Sequence, residues 1–260
     1  ERYEVQIAEG CLARNGFLAG PDELRRSSLE AALAAPVDAI IAARGGYGAT
    51  RIAHRVDWTQ LQRSPKWLVG FSDVTALHLE ALAVGVCSLH AENVAGLGRA
   101  SAVAQDEWRL ALEEPTRAHS LSGLSGWHSG AAEGPLCGGN LTVLFAVHAA
   151  GRLRLPRGAV LALEDITEAP YRVDRMLTAL IIAGAFDGVA GVVLGDFTDC
   201  AAGTHGVPVE AVLQERLAEL RVPILAGLEF GHGARNRPLP FGQRARVDAN
   251  QGRLELGLLP

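Results

Sequence analysis

The sequence has few cysteines and no paired cysteine motif, which argues against a zinc site or a disulfide framework. Its four cysteines are widely scattered: Cys11, Cys87, Cys137 and Cys200. No two of them form a CxxC pair, so the spacing typical of a zinc site is absent and a dense disulfide framework is not indicated. We therefore expect reduced thiols in a cytoplasmic protein.

The chain also lacks an excess of positive charge and a long apolar run. It has 24 Lys and Arg against 29 Asp and Glu, a formal net charge of −5, which gives no electrostatic footprint for nucleic acid or an anionic membrane. No apolar run approaches the ~18 residues of a membrane span. No signal peptide is visible, but the chain opens with Glu1 instead of methionine, so a targeting segment upstream stays open. We expect neither a nucleic-acid nor a membrane partner.

The composition is that of a globular protein with a sizeable core. The 260 residues are 48% hydrophobic and 20% charged, enough for one large domain or two small ones. Continuous apolar runs such as VDAIIAA (37–43) and VAGVVLGDF (189–197) predict buried strands, and amphipathic helices lie between them. This alternation predicts an α/β fold with a parallel sheet.

A change of character near the middle of the chain predicts two domains. Residues from about 95 to 135 are polar, rich in Ser and Gly, and weakly periodic, which favours a linker. We predict an N-terminal domain over 1–95, a linker over 96–135 and a C-terminal domain over 136–260. Residues 3–8 are predicted as a strand, and the tail as a hairpin that turns near 250–252.

Three polar residues stand at or just after the ends of predicted strands. Ser72 follows WLVGF, Glu164 follows AVLAL, and His232 lies in the loop after VPILAGLEF. Parallel sheets carry their chemistry at the carboxyl ends of strands, and the order Ser, Glu, His is that of α/β-hydrolase triads. In such a triad the imidazole takes the hydroxyl proton and the carboxylate orients the imidazole.

An acyl transfer also needs hydrogen-bond donors for the developing oxyanion. The amide that follows the serine, that of Asp73, can point at the oxyanion. The glycine-rich turn RGGYG follows the neighbouring predicted strand and can supply a second amide, from Gly45 or Gly46.

Each triad candidate has a structural interpretation when it is taken alone. Ser72 could be a helix N-cap, because GFSDV lacks the closing glycine of G-x-S-x-G. Glu164 could be a solvated strand end beside Asp165, and His232 could be a turn residue between two glycines.

Five sequence blocks together resemble the LD-carboxypeptidase family of serine peptidases, which includes muramoyl-tetrapeptide carboxypeptidases and microcin C immunity peptidases. In order, they are RGGYGATR, GFSDVTALH, CGGNLTVL, LEDITEAPYRVDRML and GLEFGHGARNRPLPFG. The family pattern carries the nucleophile at the serine of GFSD, the carboxylate at the first acid of LEDI and the base at the histidine of FGHG. These positions are Ser72, Glu164 and His232.

The resemblance implies a flavodoxin-like N-terminal domain, a C-terminal domain of mixed sheet and helices, and a homodimer, with no metal or organic cofactor. Family members begin with a further strand, so the first strand is expected to be missing from this chain. The implied reaction is hydrolysis of an L,D-amide bond beside a free carboxyl terminus. The substrate is expected to be a muramoyl tetrapeptide that loses D-alanine during peptidoglycan recycling in the cytoplasm.

Other residues near these blocks are candidates for substrate binding. Arg44 could hold a terminal carboxylate in a bidentate pair, or form a structural ion pair. Glu92 stands where the family has glycine-proline, and could pair with a substrate amine or be a solvated acid. Arg235 could line the pocket or lock its loop, and Trp127 could stack on a ligand, although loop packing is favoured for it.

Three alternatives stay open at this point. An immunity-type peptidase would cleave an aminoacyl-nucleotide conjugate and should offer an aromatic side chain to adenine. A non-catalytic binding module would use RGGYG as a phosphate cradle, although the turn lacks the lysine and threonine of a P-loop. A homologue without activity would account for a truncated first strand.

Overall fold

The computed structural model describes residues 2–258, and its strands form two β-sheets with helices packed against them. The strands are β1 (Ala39–Ile41), β2 (Trp67–Gly70), β3 (Ser88–His90), β4 (His119–Ser122), β5 (Ser125–His128), β6 (Ala131–Asn140), β7 (Val160–Ile166), β8 (Gly191–Thr198), β9 (Ile224–Ala226), β10 (Leu239–Phe241), β11 (Arg244–Asp248) and β12 (Arg253–Leu258). The α-helices are α1 (Asp22–Ala34), α2 (Ala49–Ile52), α3 (Thr59–Arg63), α4 (Thr75–Ala83), α5 (Val94–Leu97), α6 (Ala102–Glu113), α7 (Leu141–Ala149), α8 (Pro170–Ile182) and α9 (Val209–Ala218).

The first sheet has the order β1-β2-β3-β10 and, with α1 to α6, forms what we call the first lobe. Strands β1, β2 and β3 are parallel, with Ile40 opposite Leu68 and Val69 opposite Leu89. Their apolar side chains are buried beneath the surrounding helices. A strand covered on both faces has apolar residues in continuous runs instead of apolar and polar residues in alternation.

The second sheet has the order β4-β12-β11-β6-β7-β8-β9-β5 and, with α7 to α9, forms the second lobe. Its centre, β6 to β9, is parallel, and antiparallel strands flank it on both sides. Alternate residues of β7 enter different cores: Leu161 and Leu163 pack against the helices, and Val160 and Ala162 pack beneath β10 to β12. The prediction of an α/β fold with a parallel first sheet and a mixed second sheet is confirmed.

One strand crosses between the lobes. Strand β10 comes late in the chain but pairs antiparallel with β3, with Leu239 opposite His90. The polypeptide therefore runs from the end of β9, through the loop of His232, to the edge of the first sheet. This return brings that loop close to the carboxyl end of β2, where Ser72 lies.

Two regions differ from the sequence-based expectation. Residues 3–8 form no strand; Val5 and Ile7 are exposed, and no strand of the described residues pairs with them. Residues 96–135, predicted as a linker, contain all of α6, β4 and β5, and the first half of β6. Their periodicity is weak because β4 and β5 are short edge strands with mostly exposed side chains. The hairpin predicted near 250–252 is present as β11 and β12.

None of the helices in the described part of the chain is long and apolar enough to cross a bilayer.

Candidate active site

Ser72 lies at a sharp turn between β2 and the helix that follows. Its φ is 65°, in the left-handed region that non-glycine residues rarely adopt. No side chain caps the short 3₁₀ turn that begins at Ser72. The hydroxyl Oγ instead lies 3.1 Å from Nε2 of His232. The turn is tight because Gly70 lies against Val74 and Asn93, where a Cβ would come within 3 Å of both.

Glu164 is completely buried near the end of β7. Its Oε2 lies 2.7 Å from Nδ1 of His232, so the two ring nitrogens of the histidine face the carboxylate and the serine. The next residue, Asp165, instead accepts hydrogen bonds from the amide and hydroxyl of Thr142 and from the side chain of Asn140, at the start of α7. The two adjacent acids therefore have different partners: Glu164 contacts the histidine, and Asp165 holds the start of α7.

His232 is held by a loop whose glycines are required sterically. A Cβ on Gly231, which has φ +111°, would lie 2.5 Å from Oε2 of Glu164, and a Cβ on Gly233 would overlap the carboxylate of Asp196. Asn236 closes the loop by accepting a hydrogen bond from the amide of Gly231 at 3.0 Å. The two glycines beside the histidine let the loop approach the buried carboxylate closely.

The electrostatics of the pair favour a protonatable histidine. Burial alone would lower the pKa of His232, but the hydrogen bond and negative charge of Glu164 outweigh it, and the pKa is raised. Burial raises the pKa of Glu164, and the hydrogen bond from His232 opposes this. Because Glu164 faces the imidazole in the closed interior, its negative charge favours the protonated form of His232.

The three residues named as amide donors surround Ser72. A Cβ on Gly45 would lie 3.1 Å from the Cβ of Ser72, and Gly46 and Asp73 line the same cavity as Ser72. Among the described residues, the amides of Gly45 and Gly46 donate to no backbone carbonyl. The carboxylate of Asp73 is used elsewhere, as it accepts a hydrogen bond from the amide of Ala49 at 2.8 Å.

Ser72 opens onto a cavity of about 250 Å³ between the two lobes. Its lining comes from the RGGYG turn, the start of α4, the start of α7 and the segment after β7. The lining residues are Gly46, Tyr47, Thr50, Ser72, Asp73, Asn140, Thr142, Val143, Ala146, Asp165, Ile166 and Glu168.

None of the three residues predicted to bind substrate lines this cavity. Arg44 is exposed, and no carboxylate of the described residues lies within 4.0 Å of it. Arg235 is held in ion pairs with Glu107 at 2.5 Å and Glu229 at 3.3 Å, which corresponds to the structural interpretation of this residue. Glu92 is half-buried, and its carboxylate lies so close to Gly96 that a Cβ on Gly96 would overlap it.

Several residues that line the cavity had no predicted role from the sequence. Asn140, Thr142 and Glu168 lie within two of the five quoted blocks. The signal was their position: Asn140 ends the strand that pairs with β7, and Glu168 follows Glu164 by four residues. Trp127 is partly buried against the core of the second lobe, as the packing interpretation expected.

Within residues 2–258, no group of three or more His, Cys, Asp and Glu side chains is arranged to hold a metal ion. The four cysteines are free thiols.

Two family models match most of the chain. A model of the LD-carboxypeptidase N-terminal domain matches residues 1–91, and a model of the LD-carboxypeptidase C-terminal domain matches residues 133–247. The murein tetrapeptide carboxypeptidase of Pseudomonas aeruginosa is 35% identical to this chain over 92% of its length and 82% of the relative's length.

Solved structures share the fold. The crystal structure of muramoyltetrapeptide carboxypeptidase from Oxalobacter formigenes matches with a TM-score of 0.84 at 32% identity, over 95% of this chain and 88% of that one. The structure of MccF in complex with glutamyl sulfamoyl guanosine also has a TM-score of 0.84, over 95% of this chain and 84% of that one, but at 19% identity. At that identity the second likeness shows a common fold alone.

Proposed function

We propose a substrate from the following premise: this chain belongs to the LD-carboxypeptidase family and is a serine-type carboxypeptidase. The proposed reaction is the removal of D-alanine from a murein tetrapeptide. The observation that carries the proposal is the continuous line of hydrogen bonds from Ser72 through His232 to Glu164. The similarity to relatives named for murein tetrapeptides, at 35% and 32% identity, supports the substrate class.

In the proposed reaction Ser72 is the nucleophile and His232 is the base. Oγ attacks the carbonyl carbon of the L,D-amide bond while Nε2 of His232 takes the hydroxyl proton, and Glu164 stabilises the imidazolium. The C–N bond then breaks, and the imidazolium gives its proton to the amine of the departing D-alanine. Water, deprotonated by His232, attacks the ester, and Ser72 recovers its proton as the shortened peptide leaves.

The amides of Asp73 and of Gly45 or Gly46 are the proposed donors to the oxyanion. Gly45 lies against the serine, Gly46 and Asp73 line the same cavity, and Ser72 itself has a strained positive φ. Donors fixed in advance need no reorganisation when the charge develops, and each is worth about 3 kcal/mol of barrier.

We propose that Arg44 pairs with the free carboxyl terminus of the substrate. It directly precedes Gly45, which lies against Ser72, and its guanidinium has no carboxylate partner among the described residues. The proposal extends to a homodimer that acts in the cytoplasm during peptidoglycan recycling, as the family resemblance implies.

The test is release of D-alanine from a purified tetrapeptide, with Ser72→Ala beside the wild-type protein. We expect a loss of kcat of about 1,000-fold or more, because removal of a triad member leaves only the amides and binding. A serine-reactive probe should label the wild-type protein and not the variant. Hydrolysis by the variant at the wild-type rate would mean that Ser72 is not the nucleophile.

A second substrate in the same assay tests the alternative. An aminoacyl sulfamoyl adenylate should be hydrolysed much more slowly than the tetrapeptide. Faster turnover of the nucleotide conjugate would replace the murein substrate and leave the proposed serine mechanism in place.

A further inference from the structure

The serine and two of the proposed oxyanion donors lie on different connections of the first sheet. Ser72 follows β2, whereas Gly45 and Gly46 follow β1. Among the described residues, the main-chain groups of Gly45 and Gly46 form no hydrogen bond with those of residues 71–73. Another contact must therefore set the distance between the glycine turn and the serine.

Asn93 lies where these two connections meet. It is 4% exposed and follows β3, the parallel neighbour of β2. Its Oδ1 accepts a hydrogen bond at 3.3 Å from the amide of Phe71, the residue directly before the serine. A Cβ on Gly45 would lie 3.4 Å from Nδ2 of Asn93 and 3.1 Å from Cβ of Ser72. The side chain of Asn93 is therefore adjacent to both connections at once.

Helix capping does not account for this side chain. Asn93 directly precedes α5, a position where asparagine ordinarily accepts a hydrogen bond from an amide of the first turn, but its side chain makes no such bond. The amides of Val94 and Ala95 donate instead to the carbonyls of residues 42 and 43, at 3.1 and 3.0 Å. The amide of Gly96 donates to the main-chain carbonyl of Asn93 at 3.0 Å. The first turn of α5 is satisfied by main-chain carbonyls, and the side chain of Asn93 is directed to the serine's connection.

The same main-chain bonds fix the start of the glycine turn, because residues 42 and 43 directly precede RGGYG. Residues 93–95 thus hold the turn through their backbone and the serine's connection through the side chain of Asn93. Oxyanion donors avoid reorganisation only when their position relative to the nucleophile is set in advance. A misplacement of about 1 Å can cost about 100-fold in rate.

We propose that Asn93 is a positioning residue, whose side chain sets the distance between Gly45 and Ser72 and so places the oxyanion donors. It acts through the amide of Phe71 and through its contact with Gly45, and it does not line the cavity. This inference rests on the proposed function, because the donors that Asn93 places belong to the proposed serine mechanism.

The first test is Asn93→Ala, which removes both contacts. Active sites are counted by titration with a fluorophosphonate that labels Ser72, so that unfolded protein does not enter the rate. We expect kcat per active site to fall about 10- to 100-fold, the range for a displaced oxyanion donor. KM for the tetrapeptide should stay near the wild-type value, because Asn93 is not part of the cavity wall.

The second readout is the affinity for a tetrahedral adduct. A tripeptide whose terminal carboxyl group is replaced by a boronic acid accepts Oγ of Ser72 at boron and places an oxygen on the oxyanion donors. Its Ki should rise in Asn93→Ala by the same factor by which kcat/KM falls, because both report on the transition state. The Ki of the unmodified tripeptide product should not change. An equal rise in both Ki values would indicate general damage to the site and overturn the proposal.

Asn93→Ser separates positioning from helix capping and carries the test if Asn93→Ala does not fold. Serine caps a helix about as well as asparagine does, but its hydroxyl is one bond too short to keep both contacts. We expect Asn93→Ser to lose kcat and boronic-acid affinity as Asn93→Ala does. A capping role predicts wild-type values instead, and that result would overturn the proposal.

Asn250→Ala is the matched control. Oδ1 of Asn250 also accepts a hydrogen bond from a main-chain amide, that of Gly130, at 3.1 Å. Asn250 is exposed and lies in the turn between β11 and β12. This variant should keep the wild-type kcat and both Ki values.

Failure of the inference and failure of the proposed function give different results. Wild-type kcat per active site and wild-type boronic-acid affinity in the Asn93 variants overturn the positioning role alone. Absence of D-alanine release by the wild-type protein, or full activity of Ser72→Ala, overturns the proposed function itself.

Discussion

At the scale of single residues, the contact between Glu164 and His232 controls the proposed chemistry. Glu164 is buried completely and raises the pKa of His232 above its ordinary value. Only the neutral imidazole can take the proton of Ser72. We therefore expect kcat/KM of the wild-type protein to fall as the pH is lowered through this raised pKa.

Glu164→Gln should change both the rate and its pH dependence. The carboxylate that raises the pKa of His232 is removed, so the acid limb of the profile should move to lower pH. The maximum rate should fall by about 100- to 10,000-fold, because the tautomer and the imidazolium lose their support. The measurement is kcat/KM against pH for both proteins, and an acid limb that does not move would contradict the assigned pair.

The residue scale is also where the sequence was most informative. Ser72, Glu164 and His232 could be selected because each stands beside a strand end with a suitable side chain, and a family pattern supplied the same positions. Pocket residues were harder to predict. Arg235 was a reasonable candidate by position, but its ion pairs with Glu107 bring together residues that are far apart in sequence.

At the scale of elements, the loop that carries His232 depends on glycine as much as on the histidine. Gly231 packs onto Glu164 with a positive φ, whereas Gly227, at the beginning of the same connection, has a positive φ of 87° but open space around it. A substitution at Gly227 therefore introduces backbone strain alone, whereas one at Gly231 introduces backbone strain and a steric conflict with Glu164.

Gly231→Ala should damage the site, and Gly227→Ala should only destabilise the fold slightly. For Gly227→Ala we expect about 1–2 kcal/mol of lost stability from the left-handed conformation, with activity retained. For Gly231→Ala the new methyl group displaces Glu164 or the loop, and kcat should fall about 100-fold or more. Thermal unfolding and D-alanine release, measured on both variants, check this; equal activities would show that the close contact is unimportant.

Element boundaries show why sequence alone could not give the whole fold. Strands β2 and β7 were visible because their buried runs are apolar throughout. Strands β4 and β5 have exposed, polar side chains and are defined by their partners β12 and β9. Pairing between residues that are far apart in the chain leaves no periodic trace in a short strand.

At the scale of the whole molecule, the lobes should unfold together. Strand β10 lies in the first sheet but packs against the core of the second lobe, Thr75 accepts a hydrogen bond from the amide of Asn140, and Arg152 pairs with Glu80 across the lobes. The active site adds the contact of Ser72 with His232. Separation of the lobes would break all of these at once, which favours one cooperative transition.

The tryptophans provide the test. Trp58, Trp67 and Trp108 pack in the first lobe, whereas Trp127 packs in the second, so fluorescence reports mainly on the first lobe. Far-UV circular dichroism reports on both. We expect the two urea-unfolding curves to coincide; two separated midpoints would show that the lobes are independent.

The late strand β10 also has a consequence for biosynthesis. On the ribosome, β3 is complete some 150 residues before β10 is made, which takes about 10 seconds at ordinary translation speeds. For that interval the nascent chain presents a bare strand edge to its surroundings, and bare edges recruit foreign strands. Ribosome stalling within this window would leave incomplete chains that are prone to self-association, whereas chains that have completed β10 cover that edge themselves.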